Sequence, residues 1–264
     1  MNRLLAYNPN LAQSWGLIAI FILCYVVGVI ARVVMQKIGL ATPEWAEFSG
    51  KMLAYIILAV VIVRFGKGSN NVKATIPDQS PLLWLLLVPF TLSVVLMATL
   101  LTIWIPRPDS IKQALAVQVN LPMFLELVIL APVREEWLYR GVILKGLLKH
   151  YSPLKAIVWS ALIFAVAHLN PWQAIPVFSG ALAMGWIYWR IGLLRYCVFM
   201  HAVNNALVFI AVSLFSDAAA DDAFTDLTSI FCTFATILFV GVLTTIGIKK
   251  IISPRTVADK QSSL

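Results

Sequence analysis

The chain has 264 residues, 61% of them hydrophobic and only 12% charged, with a mean hydropathy of +0.88. Soluble domains carry about 25% charged residues, so this composition excludes a water-soluble globular domain and points to an all-α, polytopic integral membrane protein. In a soluble protein the net charge of +8 would suggest nucleic acid; in lipid it reflects basic anchoring of cytoplasmic loops, and no nucleic-acid partner is expected.

Uncharged apolar stretches bounded by charges and by Pro or Gly predict spans at about 15–35, 48–65, 81–105, 119–133, 156–170, 172–190, 194–215 and 227–248. About eight transmembrane helices are therefore expected, in a single membrane-embedded domain covering 1–264. The first stretch lacks a small-x-small cleavage site and reads as a retained helix rather than a cleaved signal. The second is free of charge only from Met52 to Val63, a length that also suits a buried or re-entrant segment unless Lys51 and Arg64 reach the two surfaces. The fourth contains Glu126 and is expected to end where Arg134-Glu135-Glu136 begins. Cys24, Cys197 and Cys232 lie inside apolar stretches without metal-ligand spacing and read as small packing residues.

With eight spans, thirteen Lys and Arg fall in the terminal and alternate connections on one side, among them Lys145, Lys149 and Lys155; five fall on the other, whose last loop holds Asp217, Asp221, Asp222 and Asp226. That asymmetry predicts cytoplasmic termini. The acidic loop lacks the ordered ligand pattern of a Ca²⁺ site and reads as solvated. Trp15, Trp45, Trp104, Trp172 and Trp189 flank helix ends as an interfacial belt, and the tail after Pro254 reads as disordered.

Ionisable side chains at membrane depth cost at least ~2.5–3.5 kcal/mol on insertion scales, so each calls for a reason. The set here is Glu126, Arg134, Glu135, Glu136, Arg140, His168, Asn170, His201, Asn204 and Asn205. Adjacent Glu135 and Glu136 point about 100° apart on a helix and cannot serve one role. Arg140 stands four residues after Glu136, on its face, which predicts an ion pair and a supporting role for both. Glu135 is left facing elsewhere. A carboxylate in apolar surroundings has a raised proton affinity, which suits Glu135 to act as general base. An interfacial helix whose charges meet headgroups would explain this motif equally well by itself. His168 ends an apolar stretch with Phe164 one turn before it, and His201 shares a face with Asn204 or Asn205. Either alone reads as a satisfied polar group or an interhelical clamp. Together, on three helices with almost no other buried polarity, they supply a base, a second proton-carrying group and oxyanion donors, the components of amide hydrolysis.

Glu135-Glu136-xxx-Arg140, Phe164-xxx-His168 and His201-xxx-Asn205 resemble, in order and spacing, the three motifs of the CAAX prenyl protease and bacteriocin-processing (Abi) family. The motif-bearing core covers about 120–215. The resemblance implies an intramembrane endopeptidase in which Glu135 with His168 activates water, His201 and Asn205 form the oxyanion hole, and Glu136 and Arg140 support the site. Asn204 has no counterpart in the motif and reads as packing. A Glu-His-His set is in principle able to bind zinc, but HExxH and short chelating spacings are absent, and a metal-free, glutamate-dependent mechanism without cofactor is expected.

The sequence reading is therefore a hydrolase of the plasma membrane, with a polar cavity among its helices, cleaving a membrane-associated protein or peptide precursor. A non-catalytic binding or immunity protein and a proton-coupled transporter are the rival readings. The second would use buried Glu and His as a relay, yet no inverted repeat with broken helices accompanies them.

Overall fold

The computed structural model describes residues 8–65, 81–102, 119–168, 170–215 and 227–252. The Asp217–Asp226 loop, the tail after Pro254, Trp104 and the side chains of Trp172 and Cys232 lie outside the described residues. Among the described residues eight continuous helices follow one another: α1 (Leu11–Lys37), α2 (Pro43–Phe65), α3 (Pro81–Thr102), α4 (121–150), α5 (Pro153–Ala167), α6 (Pro171–Ile191), α7 (Leu194–Phe215) and α8 (Leu227–Ile252). Among the described residues there is no strand. The chain is an all-α, polytopic membrane protein. Five segments are long and apolar enough to cross a bilayer, Leu11–Lys37, Pro43–Arg64, Pro81–Leu100, Leu194–Ser213 and Thr233–Ile252, whereas α5 is apolar but shorter.

Local chemistry sets the helix ends. Asn10 caps α1 in a reciprocal box with Gln13, each side chain meeting the other's backbone N–H at 2.9 Å. Gly39 (φ 67°) after α1 and Gly192 (φ 76°) after α6 adopt the left-handed conformation that lets the chain turn into the next helix. The weakly read second stretch is a full 23-residue helix whose first turns hold Glu47 and Lys51, paired at 2.8 Å.

The fourth helix departs most from expectation. It does not end at 133 but runs through the charged motif to His150. It alternates α turns (Leu121–Phe124, Ala131–Glu136, Lys145–His150) with π segments (Leu125–Leu130, Trp137–Leu144). The helix continues because its charges are satisfied inside the bundle: Glu126 takes Arg134 two turns on, and Glu136 takes Arg140 one turn on. Such pairing removes the need to reach water.

Two apolar clusters hold the bundle. One joins α1, α2, α4 and α5 around Leu58, Leu138, Ile143 and Ile163; the other joins α3, α6, α7 and α8 around Leu87, Ile187, Tyr196 and Ile248. Helix α6 enters both, through Ala181 in the first and Met184 in the second. Large apolar side chains such as Leu23, Ile30 and Phe239 remain exposed, as expected of a lipid-facing surface.

Helices α1 and α2 touch backbone to backbone. A Cβ at Gly28 would run into the carbonyl oxygen of Gly50, and one at Gly50 into that of Gly28. Close approach through small residues is how helices pack without a hydrophobic drive in lipid. Gly28→Val is therefore expected to splay this pair and lower stability by about 1–3 kcal/mol, measured as the melting temperature of the purified protein in detergent; an unchanged melting temperature would show that the crossing carries little of the packing.

Candidate active site

The site is built on α4. Asn120 caps its start by accepting from the Met123 N–H at 2.9 Å, with Pro122 in the first turn where no intrahelical N–H is needed. In the π segment that follows, Ala131 donates to the carbonyl of Glu126, five residues back. In that register the carbonyl of Leu127 would be served by residue 132, which is proline and has no N–H. Asn205 of α7 takes that place, its Nδ2 donating to the Leu127 oxygen at 2.8 Å. Asn204 in turn donates from Nδ2 to Asn205 Oδ1 at 3.0 Å, which fixes the amide's orientation. The sequence assigned Asn204 to packing; its contact is a polar one, made through a neighbour it could not be seen to serve.

An α turn (Ala131–Glu136) and the second π segment (Trp137–Leu144) carry the first motif into the bundle. Glu136 is fully buried, and its Oε1 accepts from Arg140 Nη1 at 2.7 Å and from His201 Nδ1 at 2.8 Å. The pair expected from the four-residue spacing is present. Arg140 is buried too; its Nη2 donates to the Ala181 carbonyl of α6 at 3.3 Å, and its guanidinium lies 5.0 Å from the centroid of the Phe164 ring of α5. One ion pair thus joins α4 to α5, α6 and α7.

Glu135 points differently, as adjacent helix positions must. Its side chain is 19% exposed, against 0% for Glu136, so water has access to it. Its Oε2 lies 3.9 Å from His201 Nε2, too far for a direct hydrogen bond but close enough for one oxygen atom to contact both. His201 is anchored at Nδ1, which donates to the carboxylate, and presents Nε2 toward Glu135.

His168 closes α5. Its Nδ1 donates to the Phe164 carbonyl at 2.9 Å, so in the neutral imidazole Nε2 keeps its lone pair. Phe164 is the hub: its centroid is 4.7 Å from that of His168, 6.0 Å from that of His201 and 4.5 Å from that of Tyr139. The structure therefore joins Glu135, Glu136, Arg140 and His201 by polar contacts, brings His168 to them across a shared phenyl ring, and sets Asn205 one turn beyond His201.

A second, partly buried ion pair lies beside this group. Arg134 binds both oxygens of Glu126, through Nη1 to Oε2 at 2.8 Å and Nη2 to Oε1, and its guanidinium sits 4.3 Å over the Tyr55 ring of α2. Nη1 also approaches Met52 Sδ at 3.4 Å. The sequence marked Glu126 and Arg134 as unexplained; their eight-residue separation is the signal, two turns along one face. Arg134→Met leaves Glu126 charged and unpaired beside α2. It is expected to cost about 3–5 kcal/mol, read by thermal melting; a cost below 1 kcal/mol would mean that Glu126 escapes to water or is protonated.

Among the described residues no three His, Cys, Asp or Glu side chains converge as a metal-ligand group. His201 holds Nδ1 against a carboxylate that is itself tied to Arg140 and leaves Nε2 facing Glu135. Two clefts, between α1 and α2 and between α3 and α8, are lined by none of the motif residues.

Residues 117–207 match the Rce1-like family, described as type II CAAX prenyl endopeptidase Rce1-like. The motif-bearing segment is thus similar to that family. The match contains all three motifs, and with it the family resemblance read from their order and spacing is borne out. Comparison with curated proteins and with solved structures gave no match. The matched segment spans α4 to the middle of α7, the helices that carry the polar cluster, and the family it matches is one of proteases, which supports a peptidase in general.

Proposed function

We propose that the protein is an intramembrane endopeptidase that hydrolyses a membrane-associated protein or peptide with water activated by Glu135. The observation that carries the reading is the accessible Glu135 carboxylate 3.9 Å from an imidazole whose far nitrogen is held by a buried ion pair. Glu135 takes a proton from water while the oxygen adds to the scissile carbonyl carbon. His168, its Nδ1 committed to the Phe164 carbonyl, shares that proton through Nε2. The tetrahedral oxyanion accepts from His201 through an N–H on Nε2, which requires a ring carrying a proton on each nitrogen, and from the second amide N–H of Asn205. Collapse breaks the C–N bond, and the amine leaves with the proton Glu135 had taken. Products are a carboxylate and an amine; no metal is used.

Glu136 and Arg140 support the reaction without touching substrate. By accepting from Nδ1, Glu136 fixes the orientation of the ring, as a carboxylate behind histidine does in hydrolases. The site belongs to a plasma-membrane protein with both termini in the cytoplasm, the side carrying thirteen of the counted basic residues.

The reading is tested by reconstituting the purified chain in nanodiscs with a pool of lipidated and unlipidated peptides and following new termini by mass spectrometry. Asn205→Leu should keep binding but lower the hydrolysis rate about 10²–10³-fold, the usual effect of losing an oxyanion donor. A rate unchanged by that substitution would remove Asn205 from the mechanism. Solute uptake by proteoliposomes without peptide cleavage would favour the transporter.

A further inference from the structure

We propose that the cleft between α1 and α2 binds the phosphate of an anionic membrane lipid. The cleft holds about 70 Å³ and is lined by Tyr25, Gly28, Val29, Arg32, Gly50 and Lys51, with Glu47 on one wall. That is roughly five times the space one water needs. Its floor is backbone, because Gly28 and Gly50 meet there without side chains.

Charge in the cleft does not balance. Lys51 Nζ takes Glu47 Oε1 at 2.8 Å, whereas Arg32 Nη1 reaches the other oxygen only at 3.8 Å, beyond hydrogen-bonding distance. Two cations share one carboxylate, leaving one positive charge. Arg32 Nε is buried without a hydrogen-bond partner although the side chain as a whole is 37% exposed. A planar guanidinium with unused donors, reachable from outside, recognises a phosphate through paired N–H bonds.

Position argues for a lipid over free phosphate. Arg32 lies near the end of α1, and Glu47 and Lys51 lie in the first turns of α2. Beside them Trp45 and Phe48 pack edge to face at 5.5 Å, an aromatic pair of the kind found at headgroup level. Tyr25 and Val29 continue the cleft along α1 toward its middle, where Leu23 is exposed to hydrocarbon. An occupant with an anionic head and an apolar tail matches that order. The site lies outside the matched segment and is independent of the catalytic reading.

Native mass spectrometry of the full-length protein in detergent, titrated with phosphatidylglycerol or phosphatidylcholine at equal concentration, tests this. The wild-type chain should retain the anionic lipid in preference. Arg32→Gln should weaken that retention about fivefold, one near-surface cation's worth, and Arg32→Lys should keep most of it. Equal retention of the two lipids by the wild type would overturn the proposal without recourse to any variant. So would an undiminished preference in folded Arg32→Gln. Displacement of the lipid by inorganic phosphate at equal concentration would show a free-phosphate site and overturn the lipid assignment.

Discussion

Replacing Glu135 by Gln is expected to abolish hydrolysis while leaving the protein folded. The two halves of that expectation have separate physical sources. Glutamine keeps the shape of the side chain but cannot take a proton from water, and loss of a positioned general base costs about 10²–10⁴ in rate. The stability half follows from contacts: Glu135 is partly exposed and its contact with His201 Nε2 is 3.9 Å long. Long, partly solvated ionic contacts contribute little to stability, about 0–1 kcal/mol. Turnover measured beside a melting curve in the same detergent checks both. Activity surviving in Glu135→Gln would assign the base elsewhere; a variant that failed to fold would mean that Glu135 supports structure.

Glu136 should behave in the opposite way. It is fully buried and receives two donors on one oxygen. Glu136→Met strands the buried Arg140 guanidinium and frees His201 to rotate, so a loss of about 3–5 kcal/mol in stability is expected together with loss of turnover. Arg140→Met should cost as much for the reciprocal reason, leaving a carboxylate without its cation. The double variant Glu136→Met, Arg140→Met removes both charges at once, and its stability should exceed that of either single variant because no unpaired charge remains. Its turnover should still be lost, since nothing then holds His201 Nδ1. Melting temperatures of the four proteins measure the coupling; strictly additive losses would show that the pair does not act as a unit.

The contrast between the adjacent glutamates was legible in the sequence, because helix geometry forbids two neighbours one direction and the four-residue step to Arg140 names the supporting one. The helices were legible as well, since apolar length is the strongest signal a membrane chain gives. What escaped was α4. Reading charge as the end of a span holds when charge must reach water, and it fails where Glu126 meets Arg134 and Glu136 meets Arg140 within the bundle. The π segments left one trace, Pro132, whose missing N–H orphans a carbonyl that Asn205 then serves. That partnership joins residues 78 apart, and the contact of His201 with Glu136 joins residues 65 apart. No local pattern encodes either. Phe164 was placed on the face of His168, but its role as the ring on which both imidazoles, Tyr139 and Arg140 converge depends on how three helices pack.

If Glu135 turns this buried cluster into a peptidase, its replacement must remove cleavage products from the membrane. Matched cells expressing the wild-type chain or Glu135→Gln at equal abundance, with their membrane-associated peptides compared by mass spectrometry for new termini, test this without any guess of substrate. Termini that occur only with the wild-type chain, clustered at one type of cut, are expected. Identical peptidomes from folded, equally abundant proteins, under conditions that demand the protein's function, would contradict it and favour a membrane protein that holds a partner without cutting it.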